Sequence, residues 1–192
     1  MIKISAILLA AGLSKRMGED KLLLGYRGSP MLQQTVNLLS ELPVYERILV
    51  TIDTRLKQIS LPPDIRSYIN RFPEKGQSGS IRIGIEAATG THYLFLAADQ
   101  PKLTLYDIMP LLESIKNNPK SIIYPIVDLK PSSPTVFPTN FRSDMLKLSG
   151  DEGGRKVRDN YPELNYMIEP EHPQNFIDVD TAEDYKECIN ND

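Results

Sequence analysis

The 192-residue sequence predicts an α/β protein of three layers, a mostly parallel mixed sheet with helices on both faces. Two observations carry that expectation. Short, near-continuously apolar runs alternate with segments whose apolar residues recur at helical spacing, the pattern of a sheet buried on both sides. The residues with the most chemical potential fall just after those runs, where an open parallel sheet presents ligands.

The elements follow in order. Residues 2–9 form a buried strand around Ile4 and Ile7-Leu8-Leu9. That run is too short to cross a bilayer, and Ser14-Lys15-Arg16 puts charge where a signal-cleavage site would be needed. Residues 30–42 form a helix, with Ser29-Pro30 supplying a cap and a first-turn proline. Strands are expected at 47–52 and 67–70. A helix spans 77–88, where Ser78 and Ser80 stand before Ile81, Ile83 and Ile85. A strand at 92–97 precedes a helix at 104–117 that starts on Thr104. Residues 121–127 form a strand, 140–148 a helix and 175–179 a last strand. The final helix, 181–189, opens with a capping-box variant, Thr181-Ala-Glu-Asp184. No repeat, low-complexity tract or linker interrupts this order, so residues 1–192 read as one domain with a frayed tail at 190–192.

Composition narrows the function. Hydrophobic residues make up 41% and charged residues 24%, which excludes wholesale disorder. Twenty-two Lys+Arg against 25 Asp+Glu give net −3, so no global field draws the chain to nucleic acid or to an anionic membrane. No stretch approaches the ~20 apolar residues of a membrane helix. One cysteine, Cys188, makes no internal disulfide, and with two histidines it builds no Cys/His zinc site. The expectation is a cytoplasmic protein.

Three strand ends carry chemistry. After the first come Ala10-Ala11-Gly12, then Lys15, Arg16 and Lys21. Small residues let backbone N–H groups approach a ligand, and three cations beside them suit a polyphosphate. The same residues also fit a glycine turn with solvated basic side chains. Neither a P-loop nor a dinucleotide fingerprint fits, because Glu19 follows Gly18 and no G-x-G-x-x-G follows the strand. After the fourth strand, Asp99-Gln100-Pro101 presents a carboxylate suited to Mg²⁺. Asp180, after the last strand, is either a helix cap or the partner of Asp99 in a metal site. His92 and His172 read as structural or exposed.

Together these segments resemble a known family. Leu8-Leu-Ala-Ala-Gly-x-Ser-x-Arg-Met-Gly18 with Lys21, Gly76-x-Ser-x-Ser-Ile-Arg-x-Gly84, Asp99-Gln-Pro101, Gly150-Asp-x-Gly-x-Arg155 and Asp178-x-Asp-Thr-x-Glu-Asp-Tyr185 occur in order. They look like the molybdenum cofactor cytidylyltransferases of the MobA-like NTP transferase (nucleotidyltransferase) family, and cover nearly the whole chain. The resemblance implies the Rossmann-like nucleotide-diphospho-sugar transferase fold. It also implies transfer of CMP from CTP to the terminal phosphate of molybdopterin, with release of pyrophosphate. Charge neutralisation and alignment would dominate such a step.

The roles that follow are implied by the resemblance alone. Leu9, Ala10, Ala11 and Gly12 would lie near base and ribose, with Asn70 also at the nucleotide. Ser14, Lys15 and Arg16 would surround the β- and γ-phosphates, and Lys21 would neutralise the α-phosphate. Arg16, Lys21 and Asp99 would be catalytic, and Asp99 with Asp180 would hold Mg²⁺. Gly76, Ser78 and Ser80 would close over the nucleotide, although helix capping also accounts for the serines. Gln100, Gly150, Asp151 and Arg155 would face the acceptor, although Arg155 could instead pair with Asp151 or Asp159. Gly153-Gly154 would leave room for a ligand beside the backbone. A molybdoenzyme or its chaperone would receive the product.

One stretch departs from the family. Val127-Asp-Leu-Lys-Pro-Ser-Ser-Pro134 replaces the Arg-Gly-His-Pro-like segment of relatives and keeps only Pro134. Guanylyl transfer to the same cofactor, or transfer to a sugar or polyol phosphate, is the alternative within the fold. The Ala-Ala-Gly form of the first loop favours CTP, because the guanylyl enzymes resemble Ala-Gly-Gly there. A non-catalytic cofactor-binding partner is the alternative outside enzymology.

Overall fold

The structure, a computed structural model, describes residues 1–14 and 17–190. In chain order the elements are β1 (Ile4–Ala10), β2 (Gly25–Tyr26), β3 (Ser29–Pro30), α1 (Met31–Glu41), β4 (Glu46–Thr51), α2 (Asp53–Leu56) and β5 (Ile65–Ile69). Then come α3 (Gln77–Ala87), β6 (His92–Ala97), α4 (Leu105–Ser114), β7 (Ile122–Val127), β8 (Lys130–Pro131) and β9 (Thr135–Pro138). The chain continues through α5 (Arg142–Leu146), α6 (Gly154–Asn160), β10 (Asn165–Ile168) and α7 (Ala182–Asn190). The main sheet has the order β10-β7-β9-β6-β1-β4-β5, with β8 paired to β7. Pairs β1–β4, β1–β6, β4–β5 and β7–β10 are parallel, and β9 runs antiparallel between β6 and β7.

Alternation along the central strands sorts the core into two layers. Ala6, Leu8, Leu49, Leu94 and Leu96 meet Leu32, Val36 and Leu39 of α1 and Ile108, Leu111 and Leu112 of α4. On the other face Ile7, Ile48, Val50, Tyr93 and Phe95 meet Ile81 and Ile85 of α3, Met145 of α5 and Val157 of α6. This is the expected three-layer arrangement. Thr104 closes a capping box with Asp107, and Asp184 and Thr181 exchange the corresponding bonds ahead of α7.

Several expectations are corrected. Ser29-Pro30 forms β3 of a small hairpin and makes no side-chain cap for α1. Ser78 and Ser80 lie inside α3, whose N-cap is Gly76 at φ 93, so neither caps it. The helix expected over 140–148 is a 3₁₀ turn, Thr139–Phe141, followed by the shorter α5. The strand expected over 175–179 is instead a 3₁₀ helix, Pro173–Phe176, started by its proline. Beyond it Val179 is fully buried and donates its N–H to Asp99 O at 2.9 Å. The sequence reading missed the short β2, β3, β8 and α2 as well as β9, β10 and α6. Among the described residues no helix is long and apolar enough to cross a membrane.

Candidate active site

The adjoining carboxyl ends of β1 and β6 open into a cleft of about 1420 Å³. Its floor is Leu9, Ala11, Gly12 and Ser14 on one side and Ala97 and Asp99 on the other. Gly76 and Ser80 stand on one wall, Asp151 and Arg155 on the next, and residues 130–133 close the far end. Lys15 and Arg16, expected on the phosphates, lie outside the described residues.

Lys21 begins a 3₁₀ turn, Lys21–Leu23, whose N-cap is Asp20. Ser14 Oγ accepts from the Lys21 N–H at 3.2 Å. Its ammonium reaches across the cleft floor and donates to Asp99 Oδ2 and to Asp180 Oδ1, each at 2.7 Å. Burial alone would lower the Lys21 pKa, but the two carboxylates outweigh it and raise the value above 10.5. Three residues distant in the sequence, 21, 99 and 180, meet at one point.

Asp178 joins them, and the sequence reading gave it no role. The extended segment at 178–180 buries Val179, and Asp178 and Asp180 flank that anchor. Crowding by surrounding protein is the largest cause raising the Asp178 carboxyl, followed by the like charges of Asp99 and Asp180; together they push it to about 6. Lys21 and a hydrogen bond from Gln100 oppose that rise. Asp178 still meets solvent, so the crowding is not full enclosure. Alternation within Asp178-Val-Asp180 is the signal that finds it.

The donor set suits Mg²⁺, which takes hard oxygen ligands and is usually held by one or two carboxylates completed by substrate phosphates. Two carboxylates, Asp99 and Asp180, meet one ammonium here. Among the described residues no cluster of three His, Cys, Asp or Glu is arranged to hold a metal by itself, and Asp99 and Asp180 are the two carboxylates at the cleft floor.

Other expected residues stand behind the walls. Ala10 is buried, and its carbonyl accepts from Arg55 Nη1 at 2.7 Å. Asn70 is buried, donating to Ser80 Oγ at 3.0 Å and accepting from the Phe72 N–H at 2.9 Å, so it braces the wall. Ser78 is buried, and its N–H donates to Gly150 O at 3.1 Å. Gln100, expected on the acceptor side, is fully buried; Nε2 donates to Ser132 Oγ and Phe176 O, each at 3.4 Å.

The acceptor wall is built on Gly153 and Gly154. A Cβ at Gly153 would lie 2.4 Å from Gln77 Oε1, and one at Gly154 would lie 3.0 Å from the Phe137 ring. The place a Cβ would take on each glycine is filled by Gln77 and Phe137, while both glycines line the cleft. Arg155 is 83% exposed on the cleft rim and pairs with Asp159 across one helical turn at 3.4 Å.

Residues 6–164 match the MobA-like NTP transferase domain. The chain belongs to that family. A probable molybdenum cofactor guanylyltransferase of Bacillus mycoides is 28% identical over 131 residues, covering 67% of this MobA-like chain and 64% of that protein. Across three such guanylyltransferases the chain spans 53–64% of their length. The crystal structure of Rv0371c from Mycobacterium tuberculosis superposes with a TM-score of 0.82 at 19% identity, covering 98% of both chains. A nucleotidyl transferase from Methanothermobacter thermautotroptrophicus gives 0.80 at 22% identity, covering 98% of this chain and 97% of that one. The fold is thus shared with these structures over essentially the whole chain.

Proposed function

We propose that this cleft transfers a nucleotidyl group from CTP to the terminal phosphate of a molybdopterin-type acceptor. An acceptor phosphate oxygen forms the new bond to the α-phosphorus, the α–β bridging bond breaks, and pyrophosphate leaves. The observation that carries the reading is the convergence of Lys21 with Asp99 and Asp180, each at 2.7 Å, beside a small-residue loop. Lys21 neutralises charge on the α-phosphate, and the 11–14 backbone seats the nucleotide. Asp99 and Asp180 would hold Mg²⁺, which when bound supplies charge neutralisation at the phosphates. Arg155 offers the acceptor phosphate a planar fork of donors at the opposite rim.

The choice of CTP rests on Ala11. It is the middle residue of Ala10-Ala11-Gly12, where the guanylyl enzymes resemble Ala-Gly-Gly, and it is buried and lines the cleft. The guanylyltransferase names of relatives favour a second reading, GTP as donor. The test incubates the protein with each nucleoside triphosphate, Mg²⁺ and molybdopterin, and measures pyrophosphate and the nucleotide adduct. CTP-dependent adduct is expected, and Ala11→Gly should improve use of GTP. A faster reaction with GTP in the wild type replaces the first reading by the second. Release of pyrophosphate only with a sugar or polyol phosphate overturns the acceptor, and none with any nucleotide overturns the enzyme.

A further inference from the structure

Arg55 sits in the short α2, just after β4, with 2% of its side chain exposed. A buried guanidinium is costly unless every face of it is matched. Here it is matched by one loop. Nε donates to both carboxylate oxygens of Asp20 at 3.0 and 2.7 Å, Nη1 to Ala10 O at 2.7 Å and Nη2 to Gly12 O at 2.8 Å. Asp20 in turn accepts from the Leu22 N–H at 3.2 Å and so caps the turn that carries Lys21. One side chain therefore grips the start of the loop at Ala10 and Gly12 and its end at Asp20. The planar fork suits this task, because three acceptors must be met in fixed directions.

The grip has a consequence for the cleft. A trans peptide holds its C=O and N–H on opposite sides. With the Gly12 carbonyl turned onto buried Arg55, the Leu13 N–H of the same peptide turns the other way, and Gly12 and Leu13 both line the cleft. We infer that Arg55 is a positioning residue for nucleotide binding: it fixes the direction of the Gly12–Leu13 peptide and, through Asp20, the place of Lys21. This rests on the proposed reading of the 11–14 loop as the nucleotide seat. The positioning acts on the donor nucleotide, since among the described residues the Arg55 side chain bonds to Asp20, Ala10 and Gly12 and to nothing on the Asp151–Arg155 side.

The test uses Arg55→Lys and Asp20→Asn in the full chain. A lysine is a point donor and cannot meet both carbonyls and Asp20 together. Arg55→Lys should raise KM for the nucleoside triphosphate at least tenfold while KM for the pterin acceptor stays within twofold. Asp20→Asn should raise it less, because the bonds to Ala10 and Gly12 persist. Amide hydrogen exchange without nucleotide should quicken at residues 10–14 in both variants, with β4 and β6 unchanged. A folded Arg55→Lys with wild-type nucleotide KM and wild-type exchange at 10–14 overturns the inference. So does a rise in both KM values accompanied by faster exchange throughout the core, which marks a merely structural arginine. If Arg55→Lys does not fold, Asp20→Asn decides by the same two readings. If the wild type uses no nucleotide, the proposed function fails, and exchange at 10–14 still decides the grip.

Discussion

Replacing Lys21 by methionine keeps the stem and removes one charge from the cleft floor. Of the three ammonium hydrogens, two are committed to Asp99 and Asp180 at 2.7 Å, which leaves one to turn toward a phosphate. The Lys21 side chain is 12% exposed, so the charge acts in a partly desolvated setting. Losing one such preorganised donor costs roughly 2–4 kcal/mol of transition-state stabilisation. At about 1.36 kcal/mol per factor of ten, kcat/KM should fall about 30- to 900-fold. Stability should change by no more than about 1 kcal/mol, because Asp99 and Asp180 are 25% and 41% exposed and solvent screens them once the ammonium is gone. The assay is pyrophosphate release with CTP and, separately, with GTP, alongside urea unfolding. The loss should be the same with both nucleotides, since the α-phosphate is common to them. A Lys21→Met protein that loses less than about threefold, or merely exchanges CTP for GTP, refutes a role on the phosphates.

Asp99→Asn keeps the shape and removes the charge, so Mg²⁺-dependent turnover should fall by about two orders of magnitude or more with the fold intact by circular dichroism; the more exposed Asp180→Asn should lose less. Near wild-type kcat in Asp99→Asn overturns the metal assignment. Burial alone would raise the Glu46 carboxyl, but hydrogen bonds from Ser5 and Thr89 and the charge of Arg66 hold it below 4.5. The folded state therefore binds fewer protons, and this stabilisation is full above pH 4.5 and lost as pH falls through the folded value. Glu46→Gln should cost more by urea unfolding at pH 7 than at pH ~3, and equal costs refute the linkage. Gly76→Ala would place a Cβ 2.3 Å from the Gly150 backbone at φ 93, so it should impair use of both nucleotide and acceptor and cost about 1–3 kcal/mol in unfolding experiments. Arg155→Ala, on an exposed rim, should raise only the acceptor KM; a collapse in CTP binding instead moves Arg155 to the nucleotide side.

The central fold was legible because burial on both faces leaves an unmistakable composition. β1, β4, β6 and β7 carry runs such as Ile7-Leu8 and Tyr93-Leu94-Phe95-Leu96, and their bounds fall within one or two residues of the expectation. The elements that escaped lack that burial or that length. β10 is an edge strand with Tyr166 and Met167 exposed, so its sequence does not read as core. β9 is four residues enclosed by Pro134 and Pro138, which argue against a strand unless its partners are known. α6 starts on Gly153-Gly154, and two glycines read as a loop until Gln77 and Phe137 are seen packed against them. The apparent last strand failed for the opposite reason. Phe176 and Val179 are buried, but Pro173 starts a 3₁₀ turn, and only Val179 returns to the sheet region through Asp99.

The site divides along the same line. Lys21 and Asp99 were legible because each follows a strand, and the topology sends every parallel strand end to one edge. What was not legible is whatever depends on two loops meeting. Gly76 and Gly150 approach so closely that a Cβ at Gly76 would meet the Gly150 carbonyl carbon and oxygen, and the Ser78 N–H donates to that same carbonyl. The sequence reading assigned these glycines to different substrates, one to the nucleotide and one to the acceptor. Their contact means that the two halves of the cleft meet backbone to backbone, with no side chain between them. Side chains on the walls remain separable, because Arg155 projects from α6 to the rim while Ser80 faces the cleft from α3. On the proposed reading, any division between nucleotide and acceptor therefore rests on these side chains rather than on the shared backbone beneath them.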